Sequence, residues 1–329
     1  MSDAEILRVA QAGDEAAFEQ LVAGHRRELS AHCYRMLGSA ADAEDALQDT
    51  LLRAWRALPR FEGRSSLRSW LFRIATNVSL RVLERRPPRV LPIDYGPAAD
   101  PHGTVAAPLV ESVWIEPYPD DQLPVEAGYE QREAVELAFI AALQHLPARQ
   151  RAVLILRDVL GFSAREVAEA LDATPASVDS ALQRAHKTVE QRVPERSQQA
   201  TLRALGDDEL RATIGRFAAA WERADVDALK AMLAEDARFA MPPHPTWLTG
   251  RDAIADFLRI RPFRPGWHER VVPTRANGQL AFGHYARKQD RFVPHALSVL
   301  SLRGQEIADL TVFLTPEPFA RFRLPETVA

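Results

Sequence analysis

Residues 42–77 read DAEDALQDTLLRAWRALPRFEGRSSLRSWLFRIATN. Leu47, Leu51, Trp55 and Leu58 recur at i, i+4, i+8 and i+11, the spacing of one apolar helix stripe. Asp42, Glu44 and Asp45 open that helix, and Arg53 and Arg56 close it, which suits the helix dipole at both ends. Pro59 ends it, Phe61–Ser66 form a loop, and a second helix runs from Leu67 to Arg86 until Pro87-Pro88 stops it. Trp70 and Phe72 read as core residues of the second helix. Before this stretch, residues 3–41 are also helical, broken at Gly38-Ser39.

The 329 residues suffice for two or three domains, and 47% hydrophobic with 26% charged residues lets each bury a core. No apolar run reaches the length of a spanning helix, and the acidic N-terminus lacks an apolar signal core, so the expected partner is no membrane and the expected location is the cytoplasm. Cys33 is the single cysteine, which excludes an internal disulfide and a cysteine-based zinc cluster; no metal is expected. The net charge of −4 conceals a segregation. Residues 53–89 hold ten arginines against Glu62 and Glu84, whereas residues 90–130 hold eight acidic groups and no Lys or Arg. One arginine block in an acidic protein points to a localised polyanion contact.

Residues 87–124 contain nine prolines and read as an extended linker. Within it, Val113-Trp-Ile-Glu-Pro-Tyr-Pro-Asp120 is too aromatic for a passive spacer, so Trp114, Glu116, Pro117 and Tyr118 are expected to dock. After it, a helix from Leu146 to Arg157 precedes the break Gly161-Phe-Ser163. Ser163 and Glu166 fit a capping box, Asp172-Ala173 makes a turn, and Thr174 caps a helix with Pro175 at its first position. This is the helix-turn-helix plan. Ser177, Ser180, Gln183, Arg184 and Lys187 face outward, with groups suited to base edges and phosphates. Asp179 lies among them and either accepts from a cytosine amine or sits off the backbone.

These segments resemble the sigma-70 family of bacterial RNA polymerase sigma factors, in its small extracytoplasmic-function form. Residues 42–56 resemble region 2.2, residues 61–77 regions 2.3 and 2.4, and residues 146–187 region 4. The resemblance implies two all-α domains, 1–90 and 131–196, joined by an acidic linker, 91–130, in place of region 3. It implies that Asp45, Gln48, Asp49, Leu52, Arg53 and Arg56 dock on the β′ clamp helices of core RNA polymerase, whose β subunit is a further contact. Arg60, Arg64, Arg68, Arg73, Asn77 and Arg81 would engage the −10 promoter element as single-stranded DNA, Asn77 by reading an extruded base. The helix-turn-helix would read the −35 element as duplex. No catalytic residue and no cofactor is implied.

Residues 204–329 begin with a helix and continue as short alternating runs at 238–241, 280–285, 296–302 and 307–314, with one more helix at 250–260, an α+β pattern. They resemble the SnoaL-like cone-shaped fold, which hosts enzymes and binding domains alike. His244, His268, His284 and His295, with Trp221, Trp247, Trp267, Tyr285 and Asp309, are expected around a cavity with room for a small ligand; a His–Asp pair there could do acid/base work. The fold class expected is therefore two helical sigma domains followed by an α+β domain, and the expected function is promoter recognition and transcription initiation, modulated by the C-terminal domain. The competing readings are a SnoaL-like cyclase or isomerase tethered to a DNA-binding module, and a ligand-responsive repressor. Neither accounts for residues 42–77.

Overall fold

The computed structural model describes residues 2–109, 113–124 and 132–328. Residues 110–112 and 125–130 of the expected linker lie outside them. The chain forms two compact units, one of Met1–Arg89 with Gln122–Val193, the other of Val90–Asp121 with Pro194–Ala329.

The first unit is helical: α1 (Asp3–Gln11), α2 (Glu15–Ala23), α3 (Arg26–Leu37), α4 (Ala40–Ala57), α5 (Leu67–Leu83), α6 (Leu137–Gln144), α7 (Ala148–Leu154), α8 (Ala164–Ala170) and α9 (Pro175–Glu190). Local chemistry sets the boundaries. Ser39 caps α4, Ser66 caps α5, and the capping boxes at Ser163/Glu166 and Thr174/Ser177 start α8 and α9. Gly38 ends α3 at φ 67°, and a Cβ there would lie 3.2 Å from Gln144 of α6. The left-handed cap favours glycine, and a side chain here would also have to displace the end of the Gln144 side chain.

Two buried arginines fasten α6 and α7 to α3. Arg151 of α7 donates to the carbonyl of Met36, to Gln144 Oε1 at 2.6 Å and to the Gln144 carbonyl at 3.1 Å. Arg35 Nε donates to the Ala134 carbonyl at 3.1 Å. Both guanidiniums therefore meet carbonyl oxygens in place of water. Residues 2–89 and 132–193, expected as parts of two separate domains, consequently pack in one unit.

His32 of α3 is wholly buried. Its Nε2 lies 2.9 Å from Thr76 Oγ1, whose own hydroxyl donates to the Phe72 carbonyl at 2.7 Å, so Nε2 carries the proton. Burial, together with the charges of Arg35 and Arg68, lowers its pKa to about 3. Cys33, beside it, is also buried, and burial pushes its thiol up to about 12.

The second unit holds α10 (Gln198–Glu222), α11 (Val226–Met232), α12 (Arg251–Ile260) and a six-stranded sheet: β1 (Leu233–Ala240), β2 (Trp247–Thr249), β3 (Glu269–Ala276), β4 (Gln279–Lys288), β5 (Arg291–Arg303) and β6 (Glu306–Phe313). The strand order is β2-β1-β6-β5-β4-β3; β1 and β6 run parallel and the other neighbours antiparallel. α10 kinks at Gly206 (φ 73°) and packs across β3, β4 and β5, with Phe217 and Trp221 buried in the main apolar core. β3 carries Pro273, and it lies at the sheet edge, where a missing N–H disturbs one ladder only. Asn277 and Gly278 join β3 to β4 with φ 56° and 69°, the two-residue hairpin turn that requires left-handed backbone at both positions.

The buried His32 makes the N-terminal unit acid-sensitive. Below pH 6.5 the unfolded chain takes up a proton that the folded chain refuses until about pH 3, so stability falls as pH drops through that window. The expected slope from this group is about 1.4 kcal/mol per pH unit. Urea unfolding of wild type and His32→Gln between pH 6.5 and 4 should show the slope flattened in the variant.

Candidate nucleic-acid interface and C-terminal cavity

The outward face of α9 is built by its own amphipathic spacing. Val178, Ala185 and Val189 turn inward, while Ser177, Asp179, Ser180, Gln183, Arg184 and Lys187 are all exposed. α8 supports it across the turn at Asp172, which sits at φ 48°. Thr174 and Ser177 cap one another, so the Ser177 hydroxyl donates to the Thr174 carbonyl at 2.8 Å.

On α4, Asp45, Gln48, Leu52, Arg53 and Arg56 are exposed and Asp49 is half-buried. Asp49 and Arg53 pair at 2.9 Å, and Leu52 stays 46% exposed, an apolar group held in a charged face. The opposite side buries Leu51 and Ala54 and sets Trp55 5.1 Å from Phe18.

Around the loop and α5, Arg60, Arg64, Arg73, Asn77 and Arg81 are exposed; Arg64 pairs with Glu62 at 3.1 Å. Phe72 is buried and Trp70 is half-buried against Phe61, with rings 4.9 Å apart. Arg68 differs from the other arginines. It pairs with Glu28 at 2.5 Å, donates to the Leu160 carbonyl at 3.1 Å, and lies over the rings of Phe72 and Phe162 at 5.1 and 4.5 Å. Ser69 beside it donates to Glu166 of α8 at 3.0 Å. Helix α5 and the helix-turn-helix therefore share an interface whose polar groups are Arg68 and Ser69.

Residues 90–109 and 113–121 of the proline-rich segment belong to the C-terminal unit. Trp114, Ile115, Pro117 and Tyr118 are buried and Glu116 is half-buried. Tyr118 and the hairpin turn form a two-way backbone clasp: Tyr118 N donates to Asn277 Oδ1 at 2.9 Å, and Asn277 N donates to the Tyr118 carbonyl at 2.9 Å. Gly278 N donates to Asp120 Oδ1 at 2.7 Å. Upstream, Trp247 Nε1 donates to the Gly96 carbonyl at 2.7 Å, and Ala106 N donates to Thr246 Oγ1 at 3.0 Å.

The same unit holds a half-open cavity of about 270 Å³. Of the residues expected around it, Trp221, Trp267, His244, His284 and His295 line it, whereas His268, Trp247, Tyr285 and Asp309 do not. Asp309 pairs with Arg238 across the parallel strands β1 and β6 at 2.5 Å, so it is not the partner of a histidine. Tyr285 donates to the Pro325 carbonyl at 2.9 Å, and Trp247 is used on Gly96. The carboxylate at the cavity is Glu269, which the spacing of the sequence did not mark. It is 7% exposed and accepts from His284 Nδ1 at 3.2 Å, from Trp267 Nε1 at 3.1 Å and from Trp221 Nε1. Burial alone would push this carboxyl up, but the hydrogen bonds from His284 and Trp221 and the charge of His284 outweigh it and hold it below the usual glutamate range. His284 Nε2 meets Ser298 Oγ at 2.8 Å.

Among the described residues there is no cluster of three His, Cys, Asp or Glu able to hold a metal ion, and no helix long and apolar enough to cross a membrane.

Comparison with known proteins assigns these parts to families. Residues 21–87 match sigma-70 region 2, residues 136–189 match sigma-70 region 4, and residues 214–310 match the SnoaL-like domain. Helices α3–α5 and the helix-turn-helix thus define a sigma factor. The chain is 42% identical over 310 residues to the ECF RNA polymerase sigma factor SigG of Mycobacterium tuberculosis, covering 92% of this chain and 83% of that one. It is 34% identical over 184 residues to SigM of the same species, 56% of this chain and 81% of that one. The chain belongs to the ECF RNA polymerase sigma factor family. The crystal structure of the sigma factor SigJ from Mycobacterium tuberculosis shares the fold, with TM-score 0.59 at 21% identity over 91% of this chain and 97% of that one.

Replacing Asn277 by glycine keeps the left-handed turn but leaves the buried Tyr118 N–H without its acceptor, at a cost of about 1–3 kcal/mol. Limited proteolysis should then cut between residues 100 and 121 several-fold faster than in wild type.

Proposed function

We propose that this chain docks on core RNA polymerase through the exposed face of α4, opens and holds the −10 element with α5, reads the −35 element with α9, and starts transcription, while the C-terminal unit modulates that activity. It would act in the cytoplasm, where the polymerase works. The observation that carries the reading is the family assignment, 42% identity to a sigma factor across 92% of the chain. The local chemistry supports it. Arg60, Arg73, Arg81 and Asn77 are exposed on and beside α5, and α9 offers hydroxyls, an amide and cations on one face. Arginines hold phosphates while amide and hydroxyl groups meet base edges. The exposed Leu52 among the charged groups of α4 suits a protein partner.

The N-terminal unit adds a condition. The −10 and −35 elements lie about 25 base pairs apart, about 85 Å of duplex at 3.4 Å per base pair. A compact body of roughly 160 residues is about 40 Å across. Helix α5 and the helix-turn-helix must separate before both elements are engaged, and Arg68, Ser69 and Phe162 are the contacts to be released.

The enzymatic reading rests on one observation, the Glu269–His284 pair in a cavity. It is the weaker reading, because three donors hold the carboxylate and lower its basicity, the opposite of what a general base at neutral pH needs. The C-terminal unit is read here as a non-catalytic binding module.

Promoter-dependent RNA synthesis with purified core polymerase tests the function. Wild type should support it. Arg73→Ala should weaken open-complex formation at all promoters and lower the salt slope by about 0.7. Gln183→Ala should instead relax preference at one −35 position, by about 1–3 kcal/mol. No polymerase binding and no transcript would leave the enzymatic reading to be tested in its place.

A further inference from the structure

Protein interiors close-pack and keep few voids larger than a water molecule. A cavity of about 270 Å³ is room for about nine waters' worth of volume. Most of its lining is apolar, from Trp221, Phe239, Phe257, Val312 and Leu314. Apolar linings take apolar guests. This one differs by a buried carboxylate at its wall, Glu269, while the exposed Arg261 and Arg264 border it from outside. A carboxylate offers about four acceptor directions. Glu269 has three filled, by Trp221, Trp267 and His284, so its place is rigidly fixed and one direction remains open. A guest must therefore be largely apolar and bring one hydrogen-bond donor. A guest without a donor would shield that acceptor direction from water and leave it unsatisfied.

The proline-rich segment supplies part of the wall. Val105 lines the cavity. The residues around it are held by side chains of the cavity side: Arg261 donates to the Gly103 carbonyl at 2.7 Å, His244 Nδ1 lies 2.7 Å from the Ala106 carbonyl, and Thr246 accepts from Ala106 N at 3.0 Å. Arg261 and His244 both line the cavity themselves. A guest touching Val105, Arg261 and His244 touches the groups that set where residues 103–106 lie.

We propose that the C-terminal cavity is a binding site for a small aromatic or alicyclic molecule bearing one hydroxyl or amine donor, which meets Glu269, and that segment 103–106 reads its occupancy. This rests on the reading of the C-terminal unit as a modulating module and names the ligand class it takes.

The test uses the full-length chain and two probes, 2-naphthol and 2-methoxynaphthalene, whose methyl removes the donor, by titration calorimetry. 2-Naphthol should bind once per chain and at least tenfold tighter than 2-methoxynaphthalene. It should also slow proteolysis between residues 100 and 109 several-fold. Ala296→Phe, which fills the cavity from β5, should abolish binding while the thermal melt stays cooperative. If that variant does not fold, Val105→Trp fills the cavity from a half-buried position on the other side and should do the same. Glu269→Gln should shrink the difference between the probes. Absence of saturable 2-naphthol binding, equal affinity for both probes, or binding that survives a filled cavity overturns the proposal, and binding without linker protection overturns the readout. The titration contains no polymerase, so its failure leaves transcription initiation standing. A binding-competent protein that makes no transcript would count against the function instead.

Discussion

A segment with nine prolines between residues 87 and 124 builds little hydrogen-bonded structure of its own, and many of its amides must find partners elsewhere. In this protein Ile115 pairs back with Val90, while Ala99, Ala106, Leu109 and Tyr118 find acceptors on Trp247, Thr246, Pro243 and Asn277 of the C-terminal unit. The Asn277-Gly278 turn is the receiving end, because left-handed backbone at two successive residues aims both amides and the Asn277 side chain at Tyr118 and Asp120. The segment is thereby a structural part of the unit that follows the helix-turn-helix in sequence, although it precedes the helix-turn-helix itself. Its described residues hold short helical turns at Pro92–Tyr95 and Asp120–Gln122, and Asp120 accepts from the Gly278 amide.

The helical unit depends on a different solution to the same problem. Arginine, a residue usually kept at surfaces, is placed inside at Arg35 and Arg151, where it collects carbonyl groups from helix ends. Arg68 extends the pattern to the boundary between α5 and α8, where it satisfies one carboxylate, one carbonyl and two aromatic faces. Contacts of this kind are specific in geometry and open to competition, since phosphate offers a guanidinium the same bidentate acceptor as Glu28. The groups that close the unit are of the type that nucleic acid can draw away.

What the sequence made legible was local. Helices α4, α5, α8 and α9 carry their caps and apolar stripes within twenty residues, and β1, β4, β5 and β6 announce themselves as apolar runs. β3 was missed because Pro273 and two arginines interrupt its alternation at the sheet edge, and the Asn277-Gly278 turn that ends it was not read either. Glu269 was missed because a lone carboxylate has no spacing to betray it; its partners come from residues 221, 267 and 284 on three elements. Asp309 was a plausible histidine partner by composition, but the parallel pairing of β1 with β6 delivers it to Arg238. Arg68 belongs with the exposed arginines by sequence, and only a contact across 92 residues sets it apart.

The buried thiol of Cys33 has a consequence for the kinds of signal this protein can sense. Burial pushes its pKa up to about 12, so almost no thiolate forms at pH 7. Oxidants and electrophiles attack thiolates, and Cys33 has no second cysteine with which to form a bridge. The folded protein is chemically deaf to oxidants at its one thiol, so an oxidative signal would have to reach it by a route other than Cys33.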